Sequence, residues 1–144
     1  MTGEKHVYYA GTHFYSGNRY SHRLQGAVLH SYGAGLGFPE LLPVFEFGVA
    51  DLFVLLKKLA NDTELKILIC FSVDQFNLDE VKHVEILKQL LEAKIAIHFA
   101  LERIIITEIC EIADIQKKRK IIVDAASSER VIRQSLIKWS QIDG

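Results

Sequence analysis

Four apolar segments that alternate with helix-like segments constrain the fold of this chain more than any other feature. The apolar segments are rich in β-branched and aromatic residues, as strands are, and cover residues 6–12, 40–47, 65–73 and 95–101. Between them, apolar side chains recur at helical spacing over residues 21–32, 49–60 and 78–93. Strands joined by single helices run parallel, with right-handed connections. The sequence therefore predicts a three-layer α/β fold with a mainly parallel sheet of four to five strands.

Several residues mark the expected ends of these elements. Ser21 is a suitable N-cap for the first helix, and the glycines of Gly33–Gly37 are expected to end it. Asn77, with Glu80 three residues later, is the predicted N-cap of the third helix. Pro43 would remove a hydrogen bond from the sheet, so the second strand is expected at an edge or a bulge.

The pattern is weaker beyond residue 102, but it predicts three further elements. Residues 103–107 fit a short strand and residues 108–118 fit a helix, while Ser127 or Ser128 could cap a last helix that ends at residue 142. We therefore expect one domain over residues 1–144, with a core at about residues 5–107 and a C-terminal helical extension at about residues 108–142.

The composition favours a soluble globular protein, with 49% hydrophobic and 24% charged residues. The net charge of -1 gives no basic excess that would indicate nucleic acid or an anionic membrane as a partner. The N-terminus is polar, unlike a signal peptide, and no apolar run is long enough to span a bilayer. Cys70 lies in an apolar strand and is expected to be a buried hydrophobic residue rather than half of a disulfide. These features predict a cytoplasmic protein with neither a membrane nor a specific nucleic-acid partner.

No complete motif for a metal or a cofactor is present. The stretch GAGLG, Gly33–Gly37, contains the first glycines of a dinucleotide fingerprint, but it follows a helix and precedes a strand, which is the reverse of the required order. His13, His22 and His30 lack the helical pairing that zinc sites use, and no serine has the glycine neighbours of a nucleophile elbow. The sequence therefore predicts no metal site and no cofactor.

Polar residues cluster where the four predicted strands end. They are Thr12, His13, Glu46, Ser72, Asp74, Gln75, His98 and Glu102. Because the carboxyl ends of parallel strands share one edge, where open α/β sheets bind ligands, these residues are predicted to line one crevice. Carboxylates and an imidazole in such a crevice could perform acid–base chemistry, or they could bind a hydroxyl-rich ligand without any chemistry. Taken singly, His98 fits a hydrogen-bonded core histidine better, and Glu46 and Glu102 fit partners of a helix or loop equally well.

Residues 70–102, CFSVDQFNLDEVKHVEILKQLLEAKIAIHFALE, resemble the catalytic domain of serine recombinases (resolvases). In that family a strand ends in Ser/Leu-Asp-Arg, a helix follows, and the next strand often closes in a similar His-Phe-x-x-Glu. Here Gly11 stands in place of the strand-end arginine, His13 in place of the nucleophilic serine, and Gln75 in place of the arginine after Asp74. Recombination needs that serine and those arginines. The resemblance therefore implies a resolvase-like or flavodoxin-like scaffold without recombinase activity.

A closer resemblance covers residues 7–106 and concerns the "sporadic carbohydrate cluster" proteins, a family encoded among bacterial surface-polysaccharide genes. Five blocks occur in the order of that family, namely HFYSGNR, RLQGAVLHSY, LLPVFEF, FSVDQFN and HFALE. The chain departs from the family at Ser21-His22, where Pro-Gln is usual, and at Asn77, where proline is usual. The resemblance implies a role in assembling or modifying a surface glycan such as O-antigen.

The leading hypothesis is therefore an enzyme that acts on a sugar or an activated sugar. Glu46, His98 and Glu102 would be its acid–base groups, and Arg19 and Gln25 would contact the substrate or a phosphate. The first alternative is a non-catalytic binding or regulatory module on the resolvase-like scaffold, and the second is a degenerate nucleic-acid protein.

The chain is also expected to form a homodimer. The helix predicted at residues 49–59 is apolar on most of its sides. Packing against one face of a sheet would bury only one side, so the remaining apolar surface is available for a second copy of the chain. A second apolar stripe, formed by Val131, Ile132, Leu136 and Trp139, lies near the C-terminus.

Overall fold

The computed structural model describes residues 4–12, 14–15, 19–38, 43–46 and 53–118. The chain divides into two compact units, Met1–Ile109 and Cys110–Gly144. The strands of the first unit are β1 (Lys5–Gly11), β2 (Val44–Glu46), β3 (Leu65–Cys70), β4 (Ala96–Phe99) and β5 (Ile104–Ile106). Its α-helices are α1 (His22–Gly35), α2 (Val54–Ala60) and α3 (Val81–Glu92), and a 3-10 turn covers Val73–Gln75. In the second unit, residues 110–118 are helical.

The five strands form one sheet in the order β2-β1-β3-β4-β5. The pairs β1–β2, β1–β3 and β3–β4 are parallel, while β5 is antiparallel to β4. This confirms the predicted α/β fold with a mainly parallel sheet. The strand order is that of flavodoxin-like folds, in which the strand order reverses at β1 and β3: the chain passes from β1 outward to β2 on one side, and from β3 outward to β4 on the other. In such folds the ligand crevice lies at the carboxyl ends of these two strands, because the connections that leave them cover opposite faces of the sheet.

Different helices cover the two faces of the sheet. Tyr8 faces α1, and its hydroxyl occupies the space beside Gly33. Tyr9, the next residue of β1, faces the other way. Its hydroxyl donates to Glu46, whose carboxylate also accepts from the main-chain N–H of Leu55 in α2. Helix α3 packs beside α2 and contacts β4 on this second face. The core on the α1 side consists of Tyr8, Ala10, Leu29, Ile67, Ile69, Phe71 and Ala100.

Helix α1 begins as predicted and ends later than predicted. The Ser21 hydroxyl oxygen accepts from the N–H of Leu24, which confirms Ser21 as the N-cap. The helix ends within Gly33–Gly37 as predicted, but at Gly35 rather than before Gly33. Gly33 lies within it for a packing reason, since a Cβ there would collide with the ring of Tyr8. The left-handed residue that follows the helix is Gly37, at φ +81°.

Helix α3 starts one turn later than predicted. Its N-cap position is held by Glu80, so the assignment of Asn77 as the N-cap is wrong. The Asn77 side chain instead accepts from the N–H of Asp79 and closes a local turn of the kind that competes with helix formation. The preceding strand is also shorter than predicted, because β3 ends at Cys70 and the chain then enters the 3-10 turn.

The other boundary predictions have mixed outcomes. Pro43 directly precedes β2, which is an edge strand as expected. Of the helix predicted over residues 49–60, Val54–Ala60 is observed, and residues 49–52 lie outside the described part of the chain. The helix predicted to end at residue 142 also lies outside it.

Two predictions from the composition concern the cysteines and the membrane. Cys70 is fully buried and Cys110 is exposed, and both are free thiols. Burial raises the pKa of the Cys70 thiol, so it remains protonated and behaves as a small hydrophobic side chain. Among the described residues, no helix combines the length and the hydropathy that a membrane span needs.

Candidate functional site

The parallel strands bring several of the predicted residues to one edge of the sheet. Glu46 is the last residue of β2, Ser72 lies two residues beyond β3, and Glu102 lies three residues beyond β4. The two glutamates are not adjacent, because strands β1 and β3 lie between β2 and β4. At about 4.8 Å per strand, β2 and β4 themselves lie about 14 Å apart across the sheet.

Glu102 holds the start of the 3-10 turn that follows β3. Its Oε2 accepts from the Ser72 hydroxyl at 2.8 Å, and its Oε1 accepts from the Val73 N–H at 2.8 Å. Partial burial raises the pKa of Glu102, and the negative charge of Asp74 adds to this rise, while the two hydrogen bonds oppose it. The carboxyl is thus fixed at the sheet edge with a pKa above its usual range.

Gln75 completes this turn from the other side. Its Oε1 accepts from the N–H of Ser72 at 3.0 Å, and the Ser72 hydroxyl accepts from the N–H of Asp74 at 3.0 Å. These reciprocal bonds form a capping box around the 3-10 turn. The Gln75 Nε2 is buried and has no hydrogen-bond partner among the described residues. Ser72 and Gln75, two of the predicted ligand-binding residues, therefore lie next to each other.

Gln25 holds the end of β1 in place. Its Oε1 accepts from the N–H of Gly11 at 3.2 Å, and its Nε2 donates to the carbonyls of Gly11 at 2.9 Å and of Tyr20 at 3.1 Å. The side chain is fully buried. Both of its amide hydrogens are thus engaged with main-chain carbonyls, which places Gln25 behind the crevice as a positioning residue.

Glu46 bridges β1 and α2. Its Oε1 accepts from the Tyr9 hydroxyl at 2.7 Å, and its Oε2 accepts from the N–H of Leu55 at 2.7 Å. Burial, reinforced by the hydrogen bond to Glu46, raises the pKa of Tyr9 far above its usual value, so the phenol stays protonated and acts as the donor. Each oxygen of Glu46 keeps acceptor capacity beyond these bonds.

His98 does not lie in the crevice. His98 of β4 pairs in register with Ile69 of β3, and Ile69 pairs with Tyr8 of β1. The three side chains therefore lie on one face of the sheet, the face that α1 covers. The His98 Nδ1 is 2.8 Å from the Tyr32 hydroxyl of α1, and burial lowers the pKa of the imidazole. Glu46 lies on the opposite face, so the structure does not bring His98 and Glu46 together. The contacts of His98 are those of the hydrogen-bonded core histidine that the sequence alone also allowed.

The remaining predicted residues lie in loops around this edge. Thr12 directly follows β1 and is exposed, and Arg19 is an exposed residue two positions before the cap of α1. The main-chain carbonyl of Asp74 accepts from the N–H of Tyr15 at 3.0 Å, which ties the loop after β1 to the 3-10 turn. His13 lies outside the described residues.

Two residues that the sequence analysis did not select, Tyr15 and His83, connect the same loops. The Asn77 N–H donates to His83 Nδ1 at 3.0 Å, which leaves the hydrogen of the neutral ring on Nε2. The Nε2 atom is 3.1 Å from the Tyr15 hydroxyl oxygen, so the Nε2–H can donate a hydrogen bond to that oxygen. The sequence shows only that a histidine, His83, lies on the apolar face of a predicted helix. That observation does not indicate which residues it contacts.

The fold and this edge together define a class of protein, an α/β protein with polar groups at the sheet edge where the strand order reverses. Among the described residues, no group of three or more His, Cys, Asp or Glu side chains could hold a metal ion. No protein family matches the chain, and neither a curated protein nor a solved structure matches it significantly.

Proposed function

We propose that the protein is an enzyme that acts on a sugar or an activated sugar in the crevice at the carboxyl ends of β1 and β3. Glu102 is the acid–base group in this proposal. The observation that carries it is the position of the Glu102 carboxyl at this edge, fixed by Ser72 and Val73, with a pKa raised by burial. A carboxyl whose pKa approaches the working pH both donates and accepts protons efficiently.

The biological setting follows from the sequence resemblance alone. The five blocks shared with the carbohydrate-cluster family support a role in the biosynthesis of a bacterial surface polysaccharide. Of the residues first assigned to acid–base chemistry, Glu46 stays a candidate at the same edge, and His98 lies away from it on the α1 face. We therefore assign the chemistry to Glu102 in preference to His98.

A specific observation favours a second candidate, a binding module without catalysis. Glu102 and Glu46 each already accept one hydrogen bond from a main-chain N–H and one from a side-chain hydroxyl. Carboxylates in this arrangement can serve the fold of the crevice while the ligand is bound by neighbouring groups. The missing arginines and serine of the recombinase pattern argue against the third candidate, a nucleic-acid enzyme.

The test is to follow sugars by NMR during incubation with the protein in deuterated buffer. The panel consists of hexoses, N-acetylhexosamines, their 1-phosphates and their uridine diphosphate derivatives. We expect one class to isomerise, to incorporate deuterium or to be cleaved, and Glu102→Gln to lower this rate by about 10²-fold or more. Glu92→Gln, at an exposed position at the end of α3, is the matched control and should leave the rate unchanged.

The outcomes separate the candidates. Binding without any turnover would favour the binding module over the enzyme. Turnover that survives in Glu102→Gln would leave the enzyme standing and remove Glu102 from its mechanism. The absence of both binding and turnover across the panel would refute the proposed function.

A further inference from the structure

In the side-chain amide of Gln75, the oxygen has a hydrogen-bond partner and the nitrogen has none among the described residues. Its Oε1 accepts from the N–H of Ser72, whereas its Nε2 is buried and unpartnered among the described residues. The residue is only 6% exposed, so bulk water does not reach this donor freely. Buried donors in native proteins are almost always hydrogen-bonded, so an unpartnered one needs an explanation, and an acceptor supplied by a ligand is one.

Gly11, at the end of β1, places no side chain beside this donor. A Cβ at Gly11 would lie 3.4 Å from Gln75 Nε2 and 3.5 Å from the main-chain carbonyl oxygen of Glu46. An N–H donor and a carbonyl acceptor thus lie on two sides of the position that a side chain at residue 11 would take. A hydroxyl group matches this pair because it accepts and donates at once, whereas an ionised phosphate oxygen only accepts.

The charge around this space disfavours an anion. The carboxylates of Glu46 and Glu102 accept only from neutral donors within the described residues, so no cation there offsets either charge. The carboxylate of Asp74 lies close enough to raise the pKa of Glu102 by its charge. Arg19, an exposed residue in the loops around this edge, pairs with neither carboxylate within the described part of the chain. A phosphate brought beside these carboxylates would therefore meet like charges, which is how a site rejects the wrong ligand.

We propose that Gln75 Nε2 and the Glu46 carbonyl oxygen orient the ligand through one of its hydroxyl groups, and that this ligand is an uncharged sugar. The hydroxyl accepts from the Gln75 amide and donates to the carbonyl of Glu46. The inference rests on the proposed function and narrows it, since it selects the free sugar over the sugar phosphate or the nucleotide sugar. It also makes Gln75 the residue that determines specificity at this position.

Two variants test the inference without removing the contacts that hold the crevice together. Gln75→Glu keeps an oxygen for the N–H of Ser72 and replaces the free donor with a second acceptor. Gly11→Ala places a methyl group at an ordinary contact distance over the amide, and Gly11 has no positive φ that would strain an alanine. The matched controls are Gln89→Glu on α3 and Gly26→Ala on α1, where a Cβ meets nothing within 4 Å.

Binding is measured by ¹⁵N NMR titration of the full chain with hexoses, N-acetylhexosamines, their 1-phosphates and their uridine diphosphate derivatives. The Gln75 side-chain NH₂ signal, assigned by its loss in Gln75→Glu, is the direct reporter. We expect an uncharged sugar to shift this signal, each phosphate derivative to bind about tenfold more weakly or worse, and both variants to lose about tenfold or more in affinity. Both controls should bind as the wild type does.

Three results would overturn the inference in distinguishable ways. Tighter binding of a sugar phosphate than of its parent sugar refutes the uncharged ligand and leaves the proposed function standing. Unchanged sugar affinity in both Gln75→Glu and Gly11→Ala, with preserved spectra, refutes the role of Gln75 and also leaves the proposed function standing. A panel in which no sugar of any kind binds refutes the proposed function, and this inference with it.

Discussion

The Tyr32 hydroxyl and the Nδ1 of His98 lie 2.8 Å apart on the sheet face that α1 covers. This pair joins the second half of α1 to β4, across a row of the sheet that includes Ile69 and Tyr8. Burial lowers the pKa of His98 and raises that of Tyr32, so both partners are neutral at pH 7. The hydrogen bond is therefore a neutral one that stabilises the contact between the helix and the sheet.

Stability should consequently fall in mild acid through His98. The pKa of His98 in the folded state is lowered from 6.5. Its contribution to the free energy of unfolding is therefore present above pH 6.5 and is lost as the pH falls through the lowered pKa. His98→Gln should flatten this decline in urea denaturation measured across that range. The exposed His22→Gln is the control and should keep the decline. Equal pH profiles for His98→Gln and the wild type would contradict the assignment.

Glu102 should give the opposite pH dependence. The pKa of Glu102 in the folded state is raised above 4.5. Its contribution to the free energy of unfolding is therefore fully present below pH 4.5 and is lost as the pH rises through the raised pKa. The difference in unfolding free energy between Glu102→Gln and the wild type should therefore shift in favour of the variant as the pH rises above 4.5. Thermal unfolding over this range measures it, with Glu92→Gln as the control. A difference that does not change with pH would show that the carboxyl is not perturbed.

Gln25→Leu should destabilise the protein by about 2–4 kcal/mol. The substitution removes three hydrogen bonds from a fully buried amide and leaves both main-chain groups of Gly11 without this partner. Chemical denaturation gives the value, and Gln89→Leu on α3 is the comparison, expected to change stability by less than about 1 kcal/mol. A small effect for Gln25→Leu would mean that water replaces the amide at the end of β1.

Lys94→Gly should stabilise the protein by about 0.5–1 kcal/mol. Lys94 follows α3 at φ +64°, and the N–H groups of Lys94 and Ile95 bond to the carbonyls of Leu91 and Leu90 in a Schellman motif. Glycine adopts this left-handed conformation without the steric cost that lysine bears. The same change inside α3, Lys88→Gly, should instead destabilise by about 1 kcal/mol. If both variants lose stability in denaturant titrations, the left-handed conformation at Lys94 is not costly.

The protein should be a dimer in solution. Val54 is 53% exposed at the start of α2, although the chain around it is strongly apolar. Sedimentation equilibrium at tens of micromolar is expected to give about twice the 16.4 kDa mass of one chain. A monomeric mass would contradict this expectation, and Val54→Asp should shift the equilibrium toward the monomer.

The sequence predicted the sheet because its information is local and repetitive. The apolar segment at 65–73 contains β3, and the segment at 95–101 contains β4, since mainly apolar runs without regular polar alternation suit strands that are covered on both faces. Ser21 was identifiable as a cap because a cap acts within its own turn. Asn77 was misassigned because a side chain that can cap a helix can equally close a turn of its own, as it does here with Asp79.

The arrangement of the site depended on contacts between residues far apart in the chain. Strand order placed Glu46 and Glu102 at one edge, but the pairing of Glu102 with Ser72 spans 30 positions, and that of Tyr32 with His98 spans 66. Periodicity tells which residues lie on a face, and it does not tell which helix covers that face. The sequence by itself therefore determined the α/β class and the edge where polar groups gather. Only the tertiary structure decided that His98 pairs beneath α1, that Gln25 holds Gly11, and that Gln75 keeps a free donor, because each depends on packing between distant segments.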